Sequence, residues 1–151
     1  MKVEIKDYYK NLRLYTFVNK LYMSPIQHGI QTAHVVSTMH GKYGINSEVL
    51  NRWAKKDHTI IVLDGTCHGR LQEIGDVVCK FARRYKLPYA IFKEDEYSLN
   101  NATTCVGIVL PEDVYSNNFG LLNPTNNTFS GIDFDVLDTQ MFNLMSKARL
   151  A

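Results

Sequence analysis

Leu12, Leu14, Thr16 and Val18 alternate with Arg13, Tyr15, Phe17 and Asn19. This period of two predicts a strand near 12–20 with two unlike faces. Ser24-Pro25 ends that rhythm, the serine as a helix N-cap and the proline as a first helical residue, and opens a helix predicted near 25–40 that stops around Gly41 and Gly44. Ser47 starts a short second helix through Glu48, Val49, Leu50 and Trp53, closed by Lys55-Lys56 at the negative end of its dipole. Thr59 to Leu63 is an almost unbroken apolar run, the pattern of a strand covered on both faces. Asp64 to Arg70 (DGTCHGR) reads as a loop. Leu71, Ile74, Val77, Val78, Phe81 and Ala82 then recur at three- and four-residue steps, predicting a third helix that Leu87-Pro88 closes. Tyr89–Phe92 and Cys105–Leu110 read as strands, the second stopped by Pro111. Between them Glu94–Thr104 is a polar connection with Asn100-Asn101 as its turn signal. The stretch Asn117–Asp133 is loop in composition. A final helix over Val136–Lys147 buries Leu137, Met141 and Leu144, with Met145 at the margin of that face. The order strand, helix, helix, strand, helix, strand, strand, helix is that of an α/β protein.

Composition narrows the classes. At 151 residues the chain is expected to form one domain, 1–151, with a core that needs no staple. Residues 1–11 form a polar lead-in, and the chain from 112 onward supplies a loop and the last helix. The composition, 45% hydrophobic and 21% charged, lacks any apolar run near the roughly 20 residues of a membrane span. The opening MKVEIKDYYK has no apolar centre and is not a secretory signal. Three cysteines without a CxxC pair fit a reducing cytoplasm better than a disulfide framework, and Cys67-His68 has no second ligand pair, so no metal or cofactor is expected. A net charge of +2 is small for a nucleic-acid binder. The dense cluster Lys80, Arg83, Arg84 and Lys86 is taken as a solvated helix face.

The first helix carries Gln27, Gln31 and His34 at spacings of four and three, hence along one stripe just past a strand end. An ordinary polar surface stripe remains the alternative. Gln27, His28 and Gln31 are suited to reading base edges, since amides present donor and acceptor together. His34 suits a core histidine bonded to a carbonyl better than a catalytic one. Gly29, within the helix, costs about 1 kcal/mol relative to alanine, a cost that close approach by a ligand or a neighbouring helix would explain. In DGTCHGR, Gly65 and Gly69 permit close backbone approach, Thr66 and His68 add polar groups, Arg70 can bridge a phosphate, and the following helix start offers N–H groups. A plain glycine turn with Asp64 capping is the simpler alternative. Tyr22 and Tyr97 are candidates for stacking, and Thr103 and Thr104 line the same mouth if the strand-end loops converge. Ser24 is a cap rather than a nucleophile, and the adjacent pair Cys67-His68 lacks nucleophile–base geometry.

The element order and the segment holding Leu21, Met23, Gln31 and His34 resemble the type-II peptidyl-tRNA hydrolase family, whose opening motif places Leu, Met, Gln and His at those offsets. Glu94-Asp95, Thr103-Thr104-Cys105-Val106 and Pro111 are similar to its later acidic turn, Thr-containing strand and closing proline, so that the likeness spans 12–111. The resemblance implies a three-layer sandwich around a four-stranded mixed sheet. It also implies hydrolysis of the peptidyl-tRNA ester by Gln31, His34 and an acid such as Asp95. Two departures weigh against that activity: Pro25 and Gln27 stand where the family carries RNA-binding lysines, and the order of the catalytic aspartate and its threonine is not reproduced. In length and overall make-up the chain is also similar to small phage proteins that sequester the cyclic nucleotide signals of bacterial defence. That likeness implies a non-catalytic homo-oligomer, dimer or tetramer, binding a cyclic di- or trinucleotide. It involves no membrane, and tRNA is a partner only under the hydrolase alternative.

Overall fold

The computed structural model describes residues 10–94, 101–115 and 136–151. Four strands, β1 (Arg13–Asn19), β2 (Ile60–Thr66), β3 (Tyr89–Lys93) and β4 (Thr103–Leu110), form one open sheet in the order β2-β1-β4-β3. β1 runs parallel to β2 and antiparallel to β4, and β3 is antiparallel to β4, so the sheet is mixed.

Helix α1 (Pro25–Tyr43) covers one face and α3 (His68–Tyr85) the other. Adjacent residues of β4 show this directly. A Cβ on Gly107 would overlap Val35 of α1, whereas Val106 packs beside Gly75 of α3, and neighbouring strand residues point to opposite faces. The result is helix, sheet, helix. A short α2 (Glu48–Arg52) continues into a π-helical turn over Trp53–Asp57, and α4 (Glu112–Tyr115) follows β4. The last helix, α5 (Val136–Lys147), lies against α3, where Tyr85 donates to the buried Asp138 carboxylate at 2.9 Å and Arg84 approaches it at 3.5 Å.

Three expectations need correction. β1 does not have unlike faces: Leu14 through Asn19 are all buried because a helix covers each side of this interior strand, and Thr16 is satisfied by the Thr32 hydroxyl at 3.0 Å. β2 is not covered on both faces. It is an edge strand, with Ile60 exposed and Ile61 and Val62 half-buried. Its outer side pairs with the end of the chain, through a Leu63–Leu150 bridge and bonds from Asp64 N to Arg149 O and Ala151 N to Val62 O. Nor is DGTCHGR a loop. Asp64, Gly65 and Thr66 belong to β2, His68, Gly69 and Arg70 form the first turn of α3, and Cys67 alone joins them.

Leu12, Phe17, Val35, Met39, Leu71, Phe81, Ile108 and Met141 belong to one continuous buried cluster. Among the described residues, no helix is long and apolar enough to cross a membrane.

Candidate ligand site at the bulged end of the sheet

The parallel strands β1 and β2 end side by side, and α1 and α3 begin there, the end of an α/β sheet where ligands usually bind. Two irregularities sit at this end. Between β1 and β2 the register steps from Val18↔Asp64 to Asn19↔Thr66, leaving Gly65 unpaired. Between β3 and β4 it steps from Phe92↔Cys105 to Lys93↔Thr103, leaving Thr104 unpaired. Such bulges re-aim side chains and are common beside functional sites. The second one turns Thr104 toward α1, where its hydroxyl donates to Gln31 Oε1 at 2.7 Å.

A chain of bonds ties the elements together. His68 Nδ1, at the start of α3, accepts from Thr103 N–H at 2.9 Å, so the proton of the neutral ring lies on Nε2. Asn19 Nδ2 donates to Thr103 O at 3.1 Å, while Asn19 Oδ1 accepts from Leu21 N–H at 2.9 Å. His28 Nε2 donates to Tyr22 O at 2.6 Å, closing the loop that leads into α1. Ser24 caps that helix by accepting from Gln27 N–H. The Tyr22 phenol is pushed up, first by burial and then by the negative charge of Glu94 beside it. Thr66 holds a left-handed conformation, φ 58°, unusual for a β-branched residue. Its N–H donates to Asp64 Oδ1 at 2.8 Å and its carbonyl accepts from Lys20 N–H.

The structure therefore brings Tyr22, His28, Gln31, Thr66, His68, Thr103 and Thr104 to one end of the sheet, through Asn19, which the sequence pattern did not single out. Only the strand alternation hinted at Asn19, as a polar residue closing β1. Gln27 stays on the exposed flank of α1, while Gln31 on the same stripe is 2% exposed. The stripe turns inward along its length and is not a surface stripe. His34 is half-buried and stacks on Phe92, with ring centroids 4.3 Å apart and planes 9° from parallel. Among the described residues, the histidines that meet backbone carbonyls are His28, His40 and His58, rather than His34. Arg70 pairs with Glu73 at 3.0 Å. Asp95 and Tyr97 lie outside the described residues.

Gly65 and Gly29 have opposite surroundings. Gly65 admits no ligand, because a Cβ there would lie 2.6 Å from Leu71 Cδ2 and 3.0 Å from Val18 O; its purpose is to let α3 close on the sheet. Among the described residues nothing lies against Gly29, which leaves room there for a ligand or a second chain. Cys67, exposed at the start of α3, has its thiol lowered chiefly by the Arg70 backbone N–H, whereas burial pushes Cys105 up. Among the described residues, no Ser, Thr or Cys side chain bonds to a histidine ring, and no group of three or more His, Cys, Asp or Glu side chains is placed to hold a metal. Asn19, Gln31, Thr103 and Thr104 present uncharged donors and acceptors held in fixed geometry, with the Asp64 and Glu94 carboxylates beside them.

No protein-family model matches the chain, and no curated protein matches it. What stands is an α/β protein with a four-stranded mixed sheet, bulged at one end beside a chain of hydrogen-bonded polar side chains.

Proposed function

We propose that the protein binds a cyclic di- or trinucleotide signal and holds it intact, on a scaffold of the peptidyl-tRNA hydrolase type. One observation carries this reading: the uncharged side chains Asn19, Gln31, Thr103 and Thr104 are locked in one hydrogen-bonded arrangement with His68. Gln31 is tied to Thr104, and His68 and Asn19 to Thr103. Groups held this way can select a ligand by its hydrogen-bonding edges, at a geometry fixed before binding. They are poorly arranged to shuttle protons, because Gln31 has no titratable proton and the Nδ1 of His68 is already accepting.

The protein acts as a homo-oligomer whose copies meet through the outer face of α1. No Asp, Glu, Lys or Arg occurs from Leu21 to Gly41, so two such faces meet without like-charge repulsion. Met23 is 87% exposed and Ile26 75%, and Leu21 and Ile30 are exposed as well. Ile26 and Ile30, four residues apart, share one side of the helix, and exposed apolar side chains that gather on one face tend to mark interaction sites. Gly29, with nothing against it, allows a second backbone to come close. The ligand end of each copy then lies next to the boundary.

Titration calorimetry with a panel of cyclic di- and trinucleotides tests the binding. Heat with at least one of them, and recovery of that compound unaltered after the protein is denatured, is the expected result. Silence across the panel at micromolar protein, with free tRNA released from a model peptidyl-tRNA, would replace sequestration by ester hydrolysis.

A further inference from the structure

The α3 side of the sheet carries a second, smaller site. A pocket of about 210 Å³ opens between α3 and the β3 edge of the sheet. Leu71 and Gly75 of α3 and Ile91 of β3 give it apolar walls, and Gln72, Asp76, Lys93 and Thr103 add polar groups. The volume falls below the about 300–1,000 Å³ of pockets that hold drug-sized ligands, so its occupant is small.

Local periodicities place these groups. Gln72 and Asp76, four apart, stack along one side of α3. Ile91 and Lys93, two apart on β3, both reach the pocket, and Ile91 meets Gly75 there. The β3–β4 register sets Lys93 opposite Thr103. The helix wall is thus acidic through Asp76, and the strand wall is basic through Lys93.

These groups have hydrogen-bonding capacity to spare. Among the described residues, the side chains of Gln72, Asp76 and Lys93 form no ion pair or hydrogen bond, with one another or with any other group. Thr103 is 1% exposed. Its N–H donates to His68 Nδ1 and its carbonyl accepts from Asn19 Nδ2, but its hydroxyl has no partner among the described residues. A buried hydroxyl without a hydrogen bond is costly, and a ligand oxygen in the pocket satisfies it. A ligand of one charge is attracted by one wall and repelled by the other, whereas a ligand carrying both charges suits both walls.

We infer that this pocket binds a free amino acid with an aliphatic side chain. The α-ammonium meets Asp76, and the α-carboxylate meets Lys93 and the Thr103 hydroxyl. The side chain lies against Leu71, Gly75 and Ile91, where it leaves water. The Gln72 amide has a donor and an acceptor to offer either charged group. A peptide terminus brings only one of the two charges and fits half of the pocket. Thr103 is shared with the bulged junction, but through a hydroxyl unused there, so the inference does not depend on what binds at that junction.

The test uses L-leucine as probe, by calorimetry on the full chain. L-leucinamide and N-acetyl-L-leucine serve as separate arms, each lacking one charge and each standing for one end of a peptide. Leucine is expected to bind at least tenfold more tightly than either arm. Asp76→Asn and Lys93→Gln, both at exposed positions, should each weaken leucine at least fivefold. Asp76 also borders the groove between α3 and α5, which Lys80 and Asn143 line. Lys80→Gln and Asn143→Ala should therefore leave leucine binding unchanged. The proposal fails if leucine does not bind at millimolar concentration, or if either arm binds as tightly as leucine. It also fails if either pocket variant binds leucine like the unaltered chain, or if the two groove variants weaken it as much.

Discussion

Gln31 and Thr104 illustrate what one residue pair reveals and conceals. That Gln31 lies on a stripe of α1 follows from its spacing with Gln27 and His34, and that Thr104 belongs near the mouth follows from its place ahead of an apolar run. Their 2.7 Å bond does not follow from either, because it exists only where the β3–β4 register slips by one residue and turns Thr104 toward α1. A bulge depends on two strands at once, and a single strand's pattern does not encode it. Thr104→Val leaves Gln31 Oε1 buried without this partner and should lower the unfolding free energy by about 1–3 kcal/mol. Combining it with Gln31→Leu should cost clearly less than the two single changes added together, since both partners are then apolar. Urea unfolding of the four proteins measures this. Strict additivity would mean that the two side chains do not share an environment.

Among the elements, α1 has two unlike faces. Its inner side, Gln31, Thr32, Val35 and Met39, holds the sheet, and its outer side carries Ile26, Gly29 and Ile30, within a stretch from Leu21 to Gly41 that has no charged residue. The helix itself was legible from Ser24-Pro25 and the period that follows, because capping chemistry is local. The edge position of β2 was not. Its apolar run Ile60–Leu63 looks like that of an interior strand, and only the order of neighbours in the sheet tells the two apart. The outer face of α1 gives a direct test at this scale. Ile26→Glu places a carboxylate at a position already 75% exposed, so the monomer has no reason to unfold. In a symmetric pair, though, the same change sets two like charges near each other in an apolar contact. Sedimentation equilibrium should show the unaltered chain as a dimer or tetramer and Ile26→Glu as a monomer. A single mass for both proteins at every concentration would remove this face as the contact.

For the molecule as a whole, the packing that brings the bulged end into being also sets a limit on the alkaline side. Helix, sheet and helix bury the centre of β4 and β1, so that ionisable groups there are shielded from water. Burial pushes the Cys105 thiol well above its ordinary value of 9.0. Burial also pushes Tyr15 up from 10.0, an effect partly offset by the bond from Arg13. The sign follows from proton counting. Once the pH passes the ordinary thiol value, the unfolded chain releases the Cys105 proton while the folded chain keeps it. The unfolded state then binds fewer protons, and stability falls as pH rises. One such group contributes a slope of up to about 1.4 kcal/mol per pH unit, beginning near pH 9, and Tyr15 adds to it above about pH 10. Urea-unfolding free energies at pH 7, 9, 10 and 10.5 should be level at first and then decline. Cys105→Ala should start lower, because it leaves a cavity in a packed strand, yet decline less steeply between pH 9 and 10, because the thiol is gone. Parallel curves for the two proteins would mean that the thiol ionises as readily in the folded chain as in the unfolded one. β4 would then be open to solvent at its centre, and the tie between Thr104 and Gln31 one residue away could not hold the bulged end rigid.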